Sequence, residues 1–261
     1  MGTVGKALDL LDLFTRQQPQ AGLSEIARLA GINKATCHRL LTEMESRGLV
    51  EQTGPNREYR LGPAVLRLAA LRESAVPTRD AAMPVLRALA EETGETAHLS
   101  HLVAGRLTTI AFAYSARHGM KVTMDDADFL PFHATASGLA VLAFLPEAER
   151  EAILSAPLPR LTDDTETDPV RLRDHVARVR VTGHSETLSS FEADVQGFAV
   201  PLFDARGAVT GSLAIAAAAP RLTPDLVAQI PAGLARAGAA ITDLWGGTLP
   251  PEIATLWRSA A

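Results

Sequence analysis

Between Lys34 and Thr42 the chain spaces Lys34, Ala35, Thr36, His38, Arg39 and Thr42 so that on a helix they share one side. Small residues near the start of such a side, followed by hydrogen-bond donors, suit insertion into a DNA major groove, where bulk blocks close approach and donors read base edges. A second constellation is His133-Ala134-Thr135-Ala136-Ser137-Gly138. It is a small-residue loop entering a helix, and the unpaired backbone N–H groups at a helix start can hold a carboxylate.

The first constellation needs elements to aim it. Leu23 to Leu41 reads as two helices crossing at a sharp turn: Ser24 stands where it caps the first, and Ile26, Ala27 and Ala30 turn inward. Ala27 is small where the helices cross, and Gly31 supplies the turn conformation. Ile32, Cys37, Leu40, Leu41 and Met44 continue the apolar stripe along the second helix. Arg47-Gly48 closes that helix; Leu49 to Gln52 and Glu58 to Leu61 then read as two strands around Gly54 to Asn56. Such a hairpin is a wing, whose Arg57 and Arg60 are set to meet phosphate. Val4 to Arg16 supplies the first helix of a three-helix winged domain, and Ser24 joins the residues expected near DNA. Gly62-Pro63 starts a further helix through Arg72, whose apolar stripe (Val65, Leu66, Leu68, Ala69, Leu71) serves either as a connector with a dimer contact or as packing on its own domain.

The second constellation sits among helices and hairpins. A helix is expected from Arg79 to Thr93, then strands Thr96 to Val103 and Leu107 to Ala113 around Ala104-Gly105-Arg106. Helices follow at Thr135 to Leu145 and from Asp168-Pro169 through Val181. Strands Val195 to Phe203 and Val209 to Ala217 flank the turn Asp204 to Gly207, and a last helix spans Thr223 to Leu244. The fold class is therefore α+β: a winged helix-turn-helix over 1–62, a linker helix over 63–76, an α/β domain on an antiparallel sheet over 77–250, and a tail over 251–261.

Composition agrees with two cores, since 47% of 261 residues are hydrophobic. Charge is unevenly shared. Up to residue 76 there are 10 Lys and Arg against 8 Asp and Glu, and beyond it 15 against 22, so the front carries +2 and the rest −7. Indiscriminate coating of DNA is thereby disfavoured, and a local basic face aided by dimerisation is required. The single cysteine, Cys37, excludes an internal disulfide or a thiolate zinc cluster. No charged leader with an apolar run opens the sequence and no apolar stretch reaches about 18 residues. A cytoplasmic protein with no membrane partner is expected.

No metal, cofactor or catalytic residue is assigned. His98 and His101, three apart on a strand, point to opposite faces, while His118, His133, His175 and His184 are scattered. Ser185-Glu186 and Ser189-Ser190 lack a strand-to-helix nucleophile elbow. Asp125-Asp126-Ala127-Asp128 and Asp163-Asp164 lack the spaced ligands and glycine of a calcium loop. No glycine-rich phosphate loop follows a strand.

Along nearly its whole length the chain resembles the IclR family of bacterial transcriptional regulators. The matching stretches are LSEIARLAGINKATCHRLL, YRLGPAVLRLA, GETAHLSHLVAG, FHATASGLAVLAFL and GFAVPLFDARGAVTGSLAIA, in shared order and spacing. The resemblance implies a winged helix-turn-helix, a linker helix and a GAF-like effector domain. It also implies a repressor or activator of a metabolic or catabolic operon that binds palindromic operator DNA as a homodimer or homotetramer, and responds to a small organic acid. Ala136 and Ser137, with Gly138 beside them, fall where family members offer backbone donors to a ligand. The segment Asp194 to Pro201 matches the opposite wall, with Gly197 where some members have cysteine, Asp194 where many have glycine, and Phe198 beside them. Ala214 and Ala216 stand where some members use two serines. These departures remove polar anchors, so the expected effector has an apolar or aromatic body and is not a very small acid such as glyoxylate.

Two readings from other classes stand beside this one. The second domain would be a small-molecule hydrolase or isomerase with the front helices used for assembly, or a scaffold for a protein partner.

Overall fold

The computed structural model describes residues 2–15, 18–75, 77–124 and 129–260. The chain divides into two compact units, Met1–Pro77 and Thr78–Ala261.

In the first unit, α1 (Thr3–Asp9) gives way to a 3-10 turn at Leu11–Leu13, so the single helix expected over 4–16 is broken, and Arg16 lies outside the described residues. The break turns Leu10 fully inward. Strand β1 (Gln20–Ala21) follows, then α2 (Leu23–Leu29) and α3 (Lys34–Ser46). Gly31, at φ +63°, makes the turn between the two helices in a conformation that a side chain resists. The cap of α2 differs from expectation. Gly22 is the N-cap, with extended backbone and no side-chain hydrogen bond, and Ser24 sits exposed in the first turn. Asn33 caps α3 through its Oδ1, which accepts from the Thr36 N–H at 2.8 Å. Ile26, Ala27, Cys37, Leu40, Leu41 and Met44 form the core with Leu10, Val50 and Tyr59. Strands β2 (Val50–Thr53) and β3 (Glu58–Leu61) make the wing, and β1 adds to β3 as a third antiparallel strand. Helix α4 (Pro63–Ala75) follows the wing and leaves Leu66, Leu68 and Leu71 exposed.

The second unit is an antiparallel sheet of order β5-β4-β8-β7-β6, formed by β4 (Thr96–Val103), β5 (Arg106–Ala113), β6 (Ser185–Leu188), β7 (Val195–Phe203) and β8 (Val209–Ala218). Side-chain alternation gives the sheet two different faces. Phe198, Val200, Leu213 and Ile215 pack with α5 (Thr78–Thr93) and α9 (Pro224–Leu244) in the larger core. Ala199 and Ala214 point the other way, to meet Ala136 and Ala140 of α6 (Ala136–Phe144). Small residues on both sides let α6 lie close to the strands. Behind α6, Leu139 and Leu142 pack with Leu172 and Val176 of α8 (Pro169–Thr182).

Four strands and helices exceed the sequence reading: β1, β6, α7 (Glu147–Leu154), and α10 (Pro251–Ala260). The 251–261 stretch is therefore not a plain tail. Over its described residues it is a helix with Ile253 and Trp257 buried in the larger core, and the Trp257 indole N–H donates to the Gly183 carbonyl at 3.1 Å. No helix among the described residues is long and apolar enough to cross a membrane.

Candidate functional site

On α3, Lys34, Ala35, His38, Arg39 and Thr42 are exposed and Thr36 is half-buried beside the cap. The Thr42 hydroxyl donates to the His38 carbonyl at 2.9 Å, so it presents a lone pair outward more readily than a proton. Glu43 pairs with Arg47 one turn on, at 3.3 Å, and among the described residues Arg39 has no ion pair. In the wing the two arginines differ. Arg60 is taken by Glu51 at 2.7 Å, which neutralises it locally. Arg57, in a left-handed conformation (φ 52°), donates to the neutral amide oxygen of Gln52 at 3.1 and 2.9 Å and has no carboxylate partner among the described residues.

In the second unit a cavity with about 690 Å³ of unfilled space, mouth included, opens on the α6 face of the sheet. Its floor is His98 of β4 with Ala214 and Ala216 of β8; Val195 and Gly197 of β7 form a wall, and Ala136 and Ser137 stand at the start of α6. The lining is completed by Val122 to Met124, by Thr187 of β6, and by Phe191 and Glu192 after that strand. The 120–124 segment is pinned in three ways. Thr96 Oγ1 donates to the Val122 carbonyl at 2.7 Å, the Met124 N–H donates to the Tyr114 hydroxyl at 3.0 Å, and Arg221 donates to the Met120 carbonyl at 3.0 Å. Arg221 is itself held by buried Glu95 at 2.5 Å, a bond that raises the guanidinium pKa further.

Helix α6 is fixed at both ends. Thr135 Oγ1 accepts the Gly138 N–H at 2.9 Å, and the Ser185 hydroxyl donates to the Ala136 carbonyl at 2.6 Å. At the far end the Arg180 guanidinium donates to the Ala143 carbonyl, and burial lowers its pKa. The amides of Ala136 and Ser137 are left without an intrahelical acceptor, as the first turn of any helix requires. His98 lies beside them: its Nε2 is 3.1 Å from Ser137 Oγ, its Nδ1 has no hydrogen-bond partner among the described residues, and burial lowers its pKa to about 4.

Of the residues expected at this pocket, Ala136, Ser137, Gly197, Ala214 and Ala216 come together in its lining. Three do not. Phe198 follows Gly197 by one residue, so strand alternation sends it to the opposite core. Gly138 is buried behind the helix start, where a Cβ would lie 2.4 Å from the Phe132 Cα, and its N–H is used by the Thr135 cap. Asp194 is exposed, outside the lining, at φ 59°. This left-handed turn explains why glycine suits the position and why aspartate is tolerated.

His98, Thr187 and Glu192 line the cavity and were not anticipated there. The signal for His98 is the polar alternation Thr96, His98, Ser100 against apolar Ala97 and Leu99, and His98 sits directly opposite Ala214. His101 lies on the other face, edge-on to Trp245. Among the described residues no three His, Cys, Asp or Glu side chains converge as metal ligands; the acidic run 125–128 lies outside them.

Comparison with known proteins covers both units. Residues 3–54 match the family model of the IclR helix-turn-helix domain, and residues 72–243 that of the bacterial transcriptional regulator IclR C-terminal domain. The HTH-type transcriptional regulator XynR of Escherichia coli K12 is 28% identical over 255 residues, spanning 94% of this chain and 97% of that protein. A crystal structure from Silicibacter sp. TM1040, described as an ICLR transcriptional regulator, aligns with a TM-score of 0.92 at 50% identity over 96% of this chain and 99% of that one. An IclR homolog from Microbacterium hydrocarbonoxydans, solved in complex with 4-hydroxybenzoate, aligns with a TM-score of 0.73 at 28% identity over 94% of this chain and 99% of that one.

Proposed function

This chain belongs to the IclR family of bacterial transcriptional regulators, and from that premise we propose how its two units divide the work. As a member it is a ligand-responsive, DNA-binding regulator of a metabolic operon, not an enzyme by family. In our reading residues 1–62 bind operator DNA, 63–76 link, and the domain from 77 onward receives the effector. Lys34, Ala35, Thr36, His38, Arg39 and Thr42 enter the major groove, with Ser24 and Arg57 positioning the helix on phosphate. A front of charge +2 neutralises few phosphates, so affinity comes from a homodimer or homotetramer on paired half-sites, for which exposed Leu66, Leu68 and Leu71 offer an apolar contact. The protein works in the cytoplasm.

The effector is a small organic acid with an apolar or aromatic body. One observation carries this reading: Ala136 and Ser137, whose amides have no intrahelical acceptor at the start of α6, stand in a cavity lined mainly by apolar residues. The acid group takes the amides and the body takes the walls. The 4-hydroxybenzoate held by the Microbacterium hydrocarbonoxydans homolog is of this class.

The test is a band shift of DNA upstream of the gene and its neighbours by the full-length protein, titrated with a panel of carboxylic acids. A specific complex whose affinity changes with at least one acid is expected. A specific complex indifferent to every acid, in a protein that turns one of them over, would favour an enzymatic second domain.

A further inference from the structure

We infer that His98 fixes the Ser137 hydroxyl as a donor to the bound acid, making an anion site of neutral donors that admits monocarboxylates and rejects dicarboxylates; this rests on the cavity being the effector site. The His98 ring is 6% exposed and lines the cavity, with Nε2 3.1 Å from Ser137 Oγ and Nδ1 unpartnered. A buried N–H without an acceptor is rarer in folded proteins than an under-satisfied acceptor, so the proton sits on Nε2 and the bare lone pair on Nδ1. Nε2–H then donates to Ser137 Oγ. Because a protonated Nε2 cannot accept, the Ser137 hydroxyl keeps its own proton free for the ligand, beside the Ala136 and Ser137 amides. Burial keeps the ring neutral at physiological pH.

Charge selection follows from what lines the rest of the cavity. Among the described residues no Lys or Arg lines it, and the one charged side chain there is the Glu192 carboxylate. One carboxylate is satisfied by the neutral donors. A second would be desolvated against alanine or would meet Glu192, with no cation in the described lining to compensate its charge.

The experiment is calorimetric titration of the full-length protein near neutral pH with two skeleton-matched pairs, benzoate against terephthalate and hexanoate against adipate. At least one monocarboxylate is expected to bind, and its dicarboxylate partner at least about tenfold more weakly. His98→Leu and Ser137→Ala should each weaken that monocarboxylate by about tenfold, and the double variant by no more than one of them, because the two residues act as one unit. His98→Gln, which keeps an N–H near the Nε2 position, should recover part of the loss; melting curves of every variant check folding, and if His98→Leu does not fold, His98→Gln and Ser137→Ala decide. Dicarboxylates binding as tightly as monocarboxylates, binding by none of the four acids, or affinity indifferent to both positions overturns the inference. If a monocarboxylate shifts operator affinity without needing His98, this inference fails and the effector reading stands. If acids bind as described here and leave operator affinity unchanged, the effector reading fails.

Discussion

The exposed face of α3 and the cavity beside α6 both rest on a capped helix start, yet they work with opposite physics. Asn33 caps α3 and Thr135 caps α6 by the same side-chain-to-amide hydrogen bond. Beyond the cap, α3 offers exposed, charged side chains, Lys34 and Arg39 among them, suited in our reading to a partner that carries its own counterions. The start of α6 offers buried, neutral donors, with Ala136 4% and Ser137 2% exposed. The first surface gains affinity from ion release and tunes it with base contacts. The second gains specificity from dehydration, since any polar group it does not satisfy is costly. One helix start is thus an entry to a groove and the other an anion seat, the surroundings deciding which.

The comparison can be broken most forcefully at His98, through pH. Its folded-state pKa is lowered to about 4 by burial, from the usual 6.5 of an unfolded chain. As pH falls, the unfolded form takes up the proton first. The stability that neutral His98 contributes is therefore complete above pH 6.5 and is lost as pH falls toward 4, by about 3 kcal/mol. Denaturant unfolding of the second unit's signal between pH 7 and 4 should show that slope, reduced in His98→Gln. An unchanged slope in that variant would mean that other groups carry the acid sensitivity.

A smaller effect is expected at Arg39. Arg39→Ala should cost about 1 to 3 kcal/mol at a cognate operator while leaving the thermal melt in place, because Glu43 pairs with Arg47 and loses nothing when Arg39 goes. Equal affinity in the variant would remove Arg39 from the reading face.

Smallest should be the contrast within the wing. Arg57→Ala should weaken cognate and unrelated DNA alike and lower the salt slope by about one, whereas Arg60→Ala, already neutralised by Glu51, should change the slope less. Band shifts across a salt series measure both; equal slopes for the two variants would contradict the distinction.

What could be read from the sequence follows the same division. The α3 face is local: period, the small Ala27 and the turn at Gly31 specify it within about two dozen residues. The Asp168 cap and the turns Ala104-Gly105 and Asp204 to Gly207 were legible for the same reason. The cavity is assembled by strand register across more than a hundred residues, which local pattern does not carry. His98 belongs to it because β4 pairs with β8 so that His98 meets Ala214, and Phe198 does not because one residue along a strand reverses the face. Strand β1 escaped notice because two residues carry no alternation. Helix α10 did because Ile253 and Trp257 are a short stripe just beyond Pro250-Pro251, where a chain commonly stops.

The measurement that tests the account most directly is operator affinity with and without a bound monocarboxylate, in the wild-type protein and in Ala214→Phe. Ala214 is 1% exposed on the cavity floor, so the phenyl ring should fill the space the ligand needs, at a packing cost of about 1 to 3 kcal/mol that leaves α3 untouched. The account predicts equal basal operator affinity in both proteins and an effector response in the wild type alone. A variant that still answers the acid as the wild type does would contradict it, since the effector would then bind somewhere other than the cavity beside α6.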